Sequence, residues 1–175
     1  MRWVMFDLET LATSADTAIL TLGAVIFDPA SDQIFDQLMI KFDVDQQLAM
    51  GRVYSESTLE WWGKQSAEMQ AIAFSSDNRV SVEQAVDQFH RFVWNNDRIW
   101  SQGSFDVNIM EHLYHQLGRP VPWQYWQVRD SRTLFDLIDG ALDRSKHHDA
   151  LEDALAQAQA VQRALRKINW TGQPI

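Results

Sequence analysis

Two carboxylates, Asp7 and Glu9, close an apolar run in "RWVMFDLE". Residues two apart in a strand point the same way, so this pair shares a face and repels itself unless something positive lies between. A divalent cation resolves the repulsion, and oxygen-only ligands suit Mg²⁺ or Mn²⁺. Taken alone, the pair reads first as a strand end emerging into solvent. A third acid, Asp106, sits in "SQGSFD". There Gly103 ends a strand, Ser104 is placed to cap a helix, and Asp106 falls in the first helical turn, where the helix dipole by itself favours an acid.

The stretch "KHHDALEDA", residues 146 to 154, adds the last candidates. Asp149 and Glu152 fit the N-cap and N3 positions of a capping-box-like helix start. His148 then precedes the cap and Asp153 is the fourth helical residue, the two positions that meet in a hydrophobic staple. A histidine and a carboxylate occupying a staple normally filled by apolar residues calls for a chemical reason. His147, one residue further out, has no such partner and reads as a solvated loop residue. His112 and His115, at i and i+3, read as packing residues, because so short a pattern is a loose metal signature.

These candidates need elements to position them. Residues 2 to 9, 18 to 28 ("AILTLGAVIFD") and 33 to 43 ("QIFDQLMIKFD") read as strands. The "DPASD" turn between the last two favours an antiparallel meander. Helical patterns follow near 55 to 65 and 66 to 73, and Ser81 with Gln84 forms a capping box opening a helix to about residue 96. "DRIWSQ" (97 to 102) is a short strand, "SFDVNIMEHLYHQLG" a helix ending at Gly118, and "WQVRD" a further strand. A helix begins at "SRTLFDLIDG", and the last runs from about 149 to 168. Antiparallel strands followed by strand–helix alternation make an α/β domain with a mixed sheet.

At 175 residues the chain reads as a single domain, residues 1–175. It contains no cysteine, which excludes disulfides, thiolate zinc sites and a cysteine nucleophile together. No stretch approaches the roughly 20 apolar residues of a membrane span. The early carboxylates also interrupt any signal-peptide core, so the expectation is a cytoplasmic protein with no membrane partner. A net charge of −9 argues against broad duplex binding, which rests on many Lys and Arg contacts to phosphate, though not against gripping a strand end. The eight tryptophans read mainly as core or interface residues, with base stacking a minority use.

The ordered set Asp7-x-Glu9, Asp106 in "GSFD", and His148-x₄-Asp153 resembles the DEDDh family of 3′–5′ exonucleases, which includes proofreading domains, RNase T and oligoribonuclease. The likeness covers roughly residues 3 to 165. "ILTLGAVIFD" is similar to the family's second strand. "TLEWW" (58 to 62) together with "RDSRTL" resembles the RNase AS-like branch, with its mycobacterial, phage and prophage relatives. "DLETLATSAD" lacks the family's glycine after the carboxylates, so the loop that receives the terminal nucleotide is expected to differ here.

The resemblance implies an RNase H-like fold, a five-stranded mixed sheet of order 3-2-1-4-5 flanked by helices. It implies metal-dependent release of nucleoside 5′-monophosphates from the 3′ end of single-stranded RNA or DNA, RNA slightly favoured, by a homodimer. Asp7 would bridge two divalent cations, Mg²⁺ or Mn²⁺. Glu9 and Asp153 would complete the first, Asp106 would support the second, and His148 would act as general base. Thr10 and Leu11, next after the pair, are placed to touch the terminal nucleotide. Trp62 or Trp61 stacks on a base or packs in the core. Arg132, with Arg129, holds phosphate or pairs with Asp130 or Asp136. Two rivals remain at this level: a catalytically silent RNase H-like binding module, and a hydrolase of small phosphoesters.

Overall fold

The computed structural model describes residues 1–138 and 149–172. The strands are β1 (Trp3–Thr10), β2 (Ile19–Phe27), β3 (Ile34–Phe42), β4 (Arg79–Val80), β5 (Arg98–Ser101) and β6 (Val128–Asp130). The helices are α1 (Val44–Ala49), α2 (Glu56–Gly63), α3 (Ala67–Phe74), α4 (Val82–Val93), α5 (Phe105–Gln116), α6 (Ser131–Leu137) and α7 (Ala150–Lys167), with a 3₁₀ turn at Tyr125–Gln127.

The strands form one sheet in the order β4-β3-β2-β1-β5-β6. β1, β2 and β3 pair antiparallel, while β5 and β6 add in parallel beyond β1. The expected order 3-2-1-4-5 is therefore present, with one strand more than expected. The addition is β4, whose Arg79 and Val80 pair with Lys41 and Phe42 at the free edge of β3. Two residues carry no periodicity, which is why the sequence does not announce this strand. The short α1 is also new. Asp43, expected as the end of a strand, instead caps α1 by accepting from the Gln46 N–H.

Alternation along β1 sorts its side chains between two layers. Val4, Phe6 and Leu8 enter a core with α4 and α5 through Val86, Phe89, Met110 and Leu113. Trp3 and Met5 face the other way, into a core with Trp100 and the Ala154, Ala158, Val161 and Leu165 stripe of α7. Asp7 and Glu9 continue that second face. It is apolar in the first half of the strand and acidic in the second, under the N-terminal turns of α7. The capping box of α4 forms as expected, with Ser81 and Gln84 exchanging side-chain and backbone bonds. That helix ends at Val93 rather than near 96, because Trp94 is already extended at ψ 135° and Asn95 then turns left-handed at φ 63°. No described helix is long and apolar enough to cross a membrane.

Candidate active site

Three elements bring the carboxylates together. β1 supplies Asp7 and Glu9, paired with Gly23 and Thr21 of β2, and a break in register between Glu9 and Thr10 turns the strand end. Helix α7 supplies Asp153. Its start is set as the local sequence implies: Asp149 is the N-cap and accepts from the Leu151 and Glu152 N–H groups. Asp153 is therefore the fourth helical residue. The helix comes this close to the sheet because β2 has no side chain at Gly23. A Cβ there would fall within the backbone of Ala150 and Leu151.

Helix α5 supplies Asp106. The ladder between β1 and β5 ends at Met5 and Trp100. Beyond that point the buried Asp106 carboxyl takes a backbone hydrogen bond at Leu8. Ser104 occupies the N-cap position, as expected, but its side chain makes no capping bond. The loop is held from outside instead. The Asp130 carboxylate accepts from the Gly103 N–H at 2.8 Å and from the Arg132 N–H at 2.8 Å. Gly103 itself sits at φ 93°, a left-handed conformation that glycine adopts freely. Asp130 is a site-building residue that sequence reasoning did not assign, although "RDSRTL" contains it.

Carboxylate oxygens of Asp7, Glu9 and Asp153 all lie within 4.8 Å of one another. At an effective dielectric of about 20, unit charges ~4 Å apart repel by about 4 kcal/mol. Three such pairs approach the whole ~5–15 kcal/mol stability of a domain. The chain cannot hold them all bare; a proton or a cation must join them. Burial first, then repulsion by Asp7, Asp153, Asp106 and Asp149, pushes the Glu9 carboxyl up to about 9. Burial and Asp7 also push Asp106 upward, partly offset by its backbone bonds and by the positive charge of Arg132. A set of hard oxygen donors that repel one another fits Mg²⁺ or Mn²⁺; Asp7, Glu9 and Asp153 would hold such an ion, with Asp106 beside Asp7.

The remaining candidates divide. Thr10, next after Glu9, is half-buried, its hydroxyl donating to the Ala12 carbonyl at 2.9 Å. Arg132 is exposed beside Gly103. Leu11 and Trp62, the other expected substrate contacts, are both buried. Leu11 is 5% exposed and Trp62 2%, packed together with Leu20 and Ala73. The Trp62 indole N–H donates to the Thr10 carbonyl at 3.0 Å, so this ring fixes the strand end and offers no free face to a base. An open cleft of about 490 Å³ is lined by Leu11, Leu20, Val44 and Arg79 among others, and none of the four carboxylates lines it. The glycine-free loop after β1 is locked by the buried Arg52, which donates to the Thr17 and Ala15 carbonyls. His112 lies 3.3 Å from the same guanidinium, in keeping with a packing role. His147 and His148 lie outside the described residues.

A model of the 3′–5′ exoribonuclease Rv2179c-like domain matches residues 2–165. The chain belongs to this family. The exodeoxyribonuclease of Enterobacteria phage T4 is 27% identical, over 93% of this chain and 88% of the phage protein. The zinc-bound exonuclease I–ssDNA complex of E. coli superposes with a TM-score of 0.68 at 12% identity, covering 95% of this chain and 40% of that one. The nuclease domain of 3′hExo, a DEDDh member bound to rAMP, gives 0.59 at 12% identity over 95% and 92% of the two chains. The chain thus spans about two fifths of the exonuclease I chains and nearly all of the smaller nuclease domain. As a 3′–5′ exonuclease domain, it places its carboxylates on the strand end and helix starts where the sequence motifs predicted them.

Proposed function

We propose that this exonuclease hydrolyses the 3′-terminal phosphodiester of single-stranded RNA in preference to DNA, with two divalent cations and a histidine base. The observation that carries the reading is the convergence of Asp7, Glu9 and Asp153 within 4.8 Å, with Asp106 buried beside Asp7. Nothing about folding rewards that arrangement. When bound, paired cations supply Lewis acidity at the reacting phosphate and offset charge on its attacking and leaving oxygens.

The chain's own residues do the rest. Asp7 and Glu9, fixed by β1, and Asp153, fixed by the capped start of α7, would hold the cations, with Asp106 supporting them from the gap beyond the β1–β5 ladder. Arg132, exposed next to Gly103, is the cation best placed to bind a phosphate oxygen of the substrate. Thr10 meets the terminal nucleotide, with Leu11 and Trp62 holding it in place from behind. His148, next before the N-cap in the sequence, takes the proton from the attacking water, a task an imidazole suits near neutrality. Water adds to phosphorus, the bond to the penultimate 3′ oxygen breaks, and a nucleoside 5′-monophosphate leaves.

The preference for RNA rests on the family description, while the phage relative named as an exodeoxyribonuclease makes DNA the competing substrate. We also propose a homodimer, the state expected from the resemblance of the motifs, which light scattering measures. The deciding experiment uses matched 3′-labelled single-stranded RNA and DNA with Mg²⁺, Mn²⁺ or EDTA. Loss of label as 5′-monophosphate, faster on RNA and silent in EDTA, is the expected result. Turnover in chelator, or products carrying a 3′-phosphate, refutes the mechanism.

A further inference from the structure

One polar side chain touches the carboxylate cluster without belonging to any motif. Gln157 lies on α7 one turn beyond Asp153, in a row otherwise occupied by Ala150, Ala154, Ala158 and Val161, all buried. It is itself only 5% exposed. Its Nε2 donates to Asp7 Oδ1 at 2.9 Å, across a sequence separation of 150 residues. Its own Oε1 is buried with no hydrogen-bond partner. A buried amide with one end unsatisfied is a poor choice for stability, since an apolar residue of the same length fills the space without desolvating a carbonyl.

We propose that Gln157 is the positioning residue that holds the Asp7 carboxylate in its ligating orientation toward the divalent cations. The proposal rests on the metal reading above. The chemistry of an amide suits the task. A lysine at this position would neutralise Asp7 and compete with the cations for it, and a carboxylate would add another repelling charge. An amide N–H fixes one oxygen of Asp7 and adds no net charge. Groups outside the ligand set that orient a ligand in this way are worth about 10–100-fold in metal affinity.

The test titrates Mn²⁺ into substrate-free protein by calorimetry, alongside thermal melts in EDTA, for wild type, Gln157→Met and Gln157→Asn. Met matches the length of Gln and removes the donor. Asn keeps an amide but falls one methylene short of Asp7, so it remains informative if the Met variant does not fold. Both variants are expected to bind Mn²⁺ at least about tenfold more weakly, with melting in EDTA unchanged or raised. Affinity within about twofold of wild type in either variant overturns the proposal, on the scale set by such orienting groups. So does an affinity loss that comes with a matching drop in EDTA melting, which marks Gln157 as a packing residue. Wild-type protein that binds no Mn²⁺ brings down the metal reading itself, and this proposal with it.

Discussion

At the scale of single residues, the site stores its chemistry as a conflict of charge. Glu9 holds its proton in the folded chain up to about pH 9, far above an ordinary glutamate, because it is buried among other acids. The folded chain binds that proton more tightly than the unfolded chain does. The resulting stability is complete below the ordinary glutamate range, about 4.5, and is lost as pH climbs toward about 9. In EDTA the melting temperature should therefore fall steadily across that window, and Mn²⁺ should flatten the decline by replacing the proton with a cation. A flat metal-free profile would contradict the buried, repelled Glu9. The adjacent histidines test the base. His148→Ala should lower kcat by roughly 100-fold or more, the usual weight of a positioned base, with Mn²⁺ affinity retained. His147→Ala should change kcat by a small factor only. The opposite pattern in steady-state rates would transfer the role to His147.

At the scale of elements, the site depends on how close α7 comes to the sheet. Gly23 faces the first turn of that helix while pairing in β2 with Asp7. Its clash partners would be backbone atoms, which cannot rotate away as a flexible side chain can. Gly23→Ala should cost at least about 1–3 kcal/mol in urea unfolding, as overpacked cores do, and should also weaken Mn²⁺ binding by lifting Asp153 from Asp7. Full Mn²⁺ affinity in a folded Gly23→Ala protein would show that the approach of α7 does not set the ligand geometry. The same logic applies at the other wall, where Asp130 at the start of α6 restrains Gly103 and so places Asp106.

At the scale of the molecule, an acidic protein acts on an acidic polymer. With a net charge of −9, the chain has little to gain from a long electrostatic footprint, and cations bound at the site would invert the sign only locally. A grip on the strand end through about two phosphates would give a shallow salt dependence for a single strand. The KM for single-stranded RNA should rise less than about tenfold between 50 and 200 mM salt. A steeper rise in initial-rate measurements would show an extended basic track instead of a grip on the strand end. Most of the tryptophan complement serves the fold: Trp3 stacks on Trp100 at 5.4 Å, and Trp123 packs edge-on against Phe89.

What the sequence determined by itself was local. The two-residue period put Asp7 and Glu9 on one face, capping placed Asp149 outside α7 and Asp153 at its fourth position, and a glycine–helix junction put Asp106 in a first turn. Each follows from backbone geometry within one strand or one helical turn, so a few neighbouring residues suffice to specify it. Only the tertiary structure decided what lies across those elements. Leu11 looked like a substrate contact by its place after Glu9, and Trp62 read as either a stacking or a core ring; the packing of α2 and α3 over the strand end buries both. Gly23 read as one more residue of an apolar strand until α7 was laid against it. Gln157 carried no signal, and "RDSRTL" marked Asp130 without showing its bond to Gly103, because their partners lie 150 and 27 residues away. A side chain's hydrogen bond across such a separation depends on where whole elements dock, and local sequence does not encode that distance.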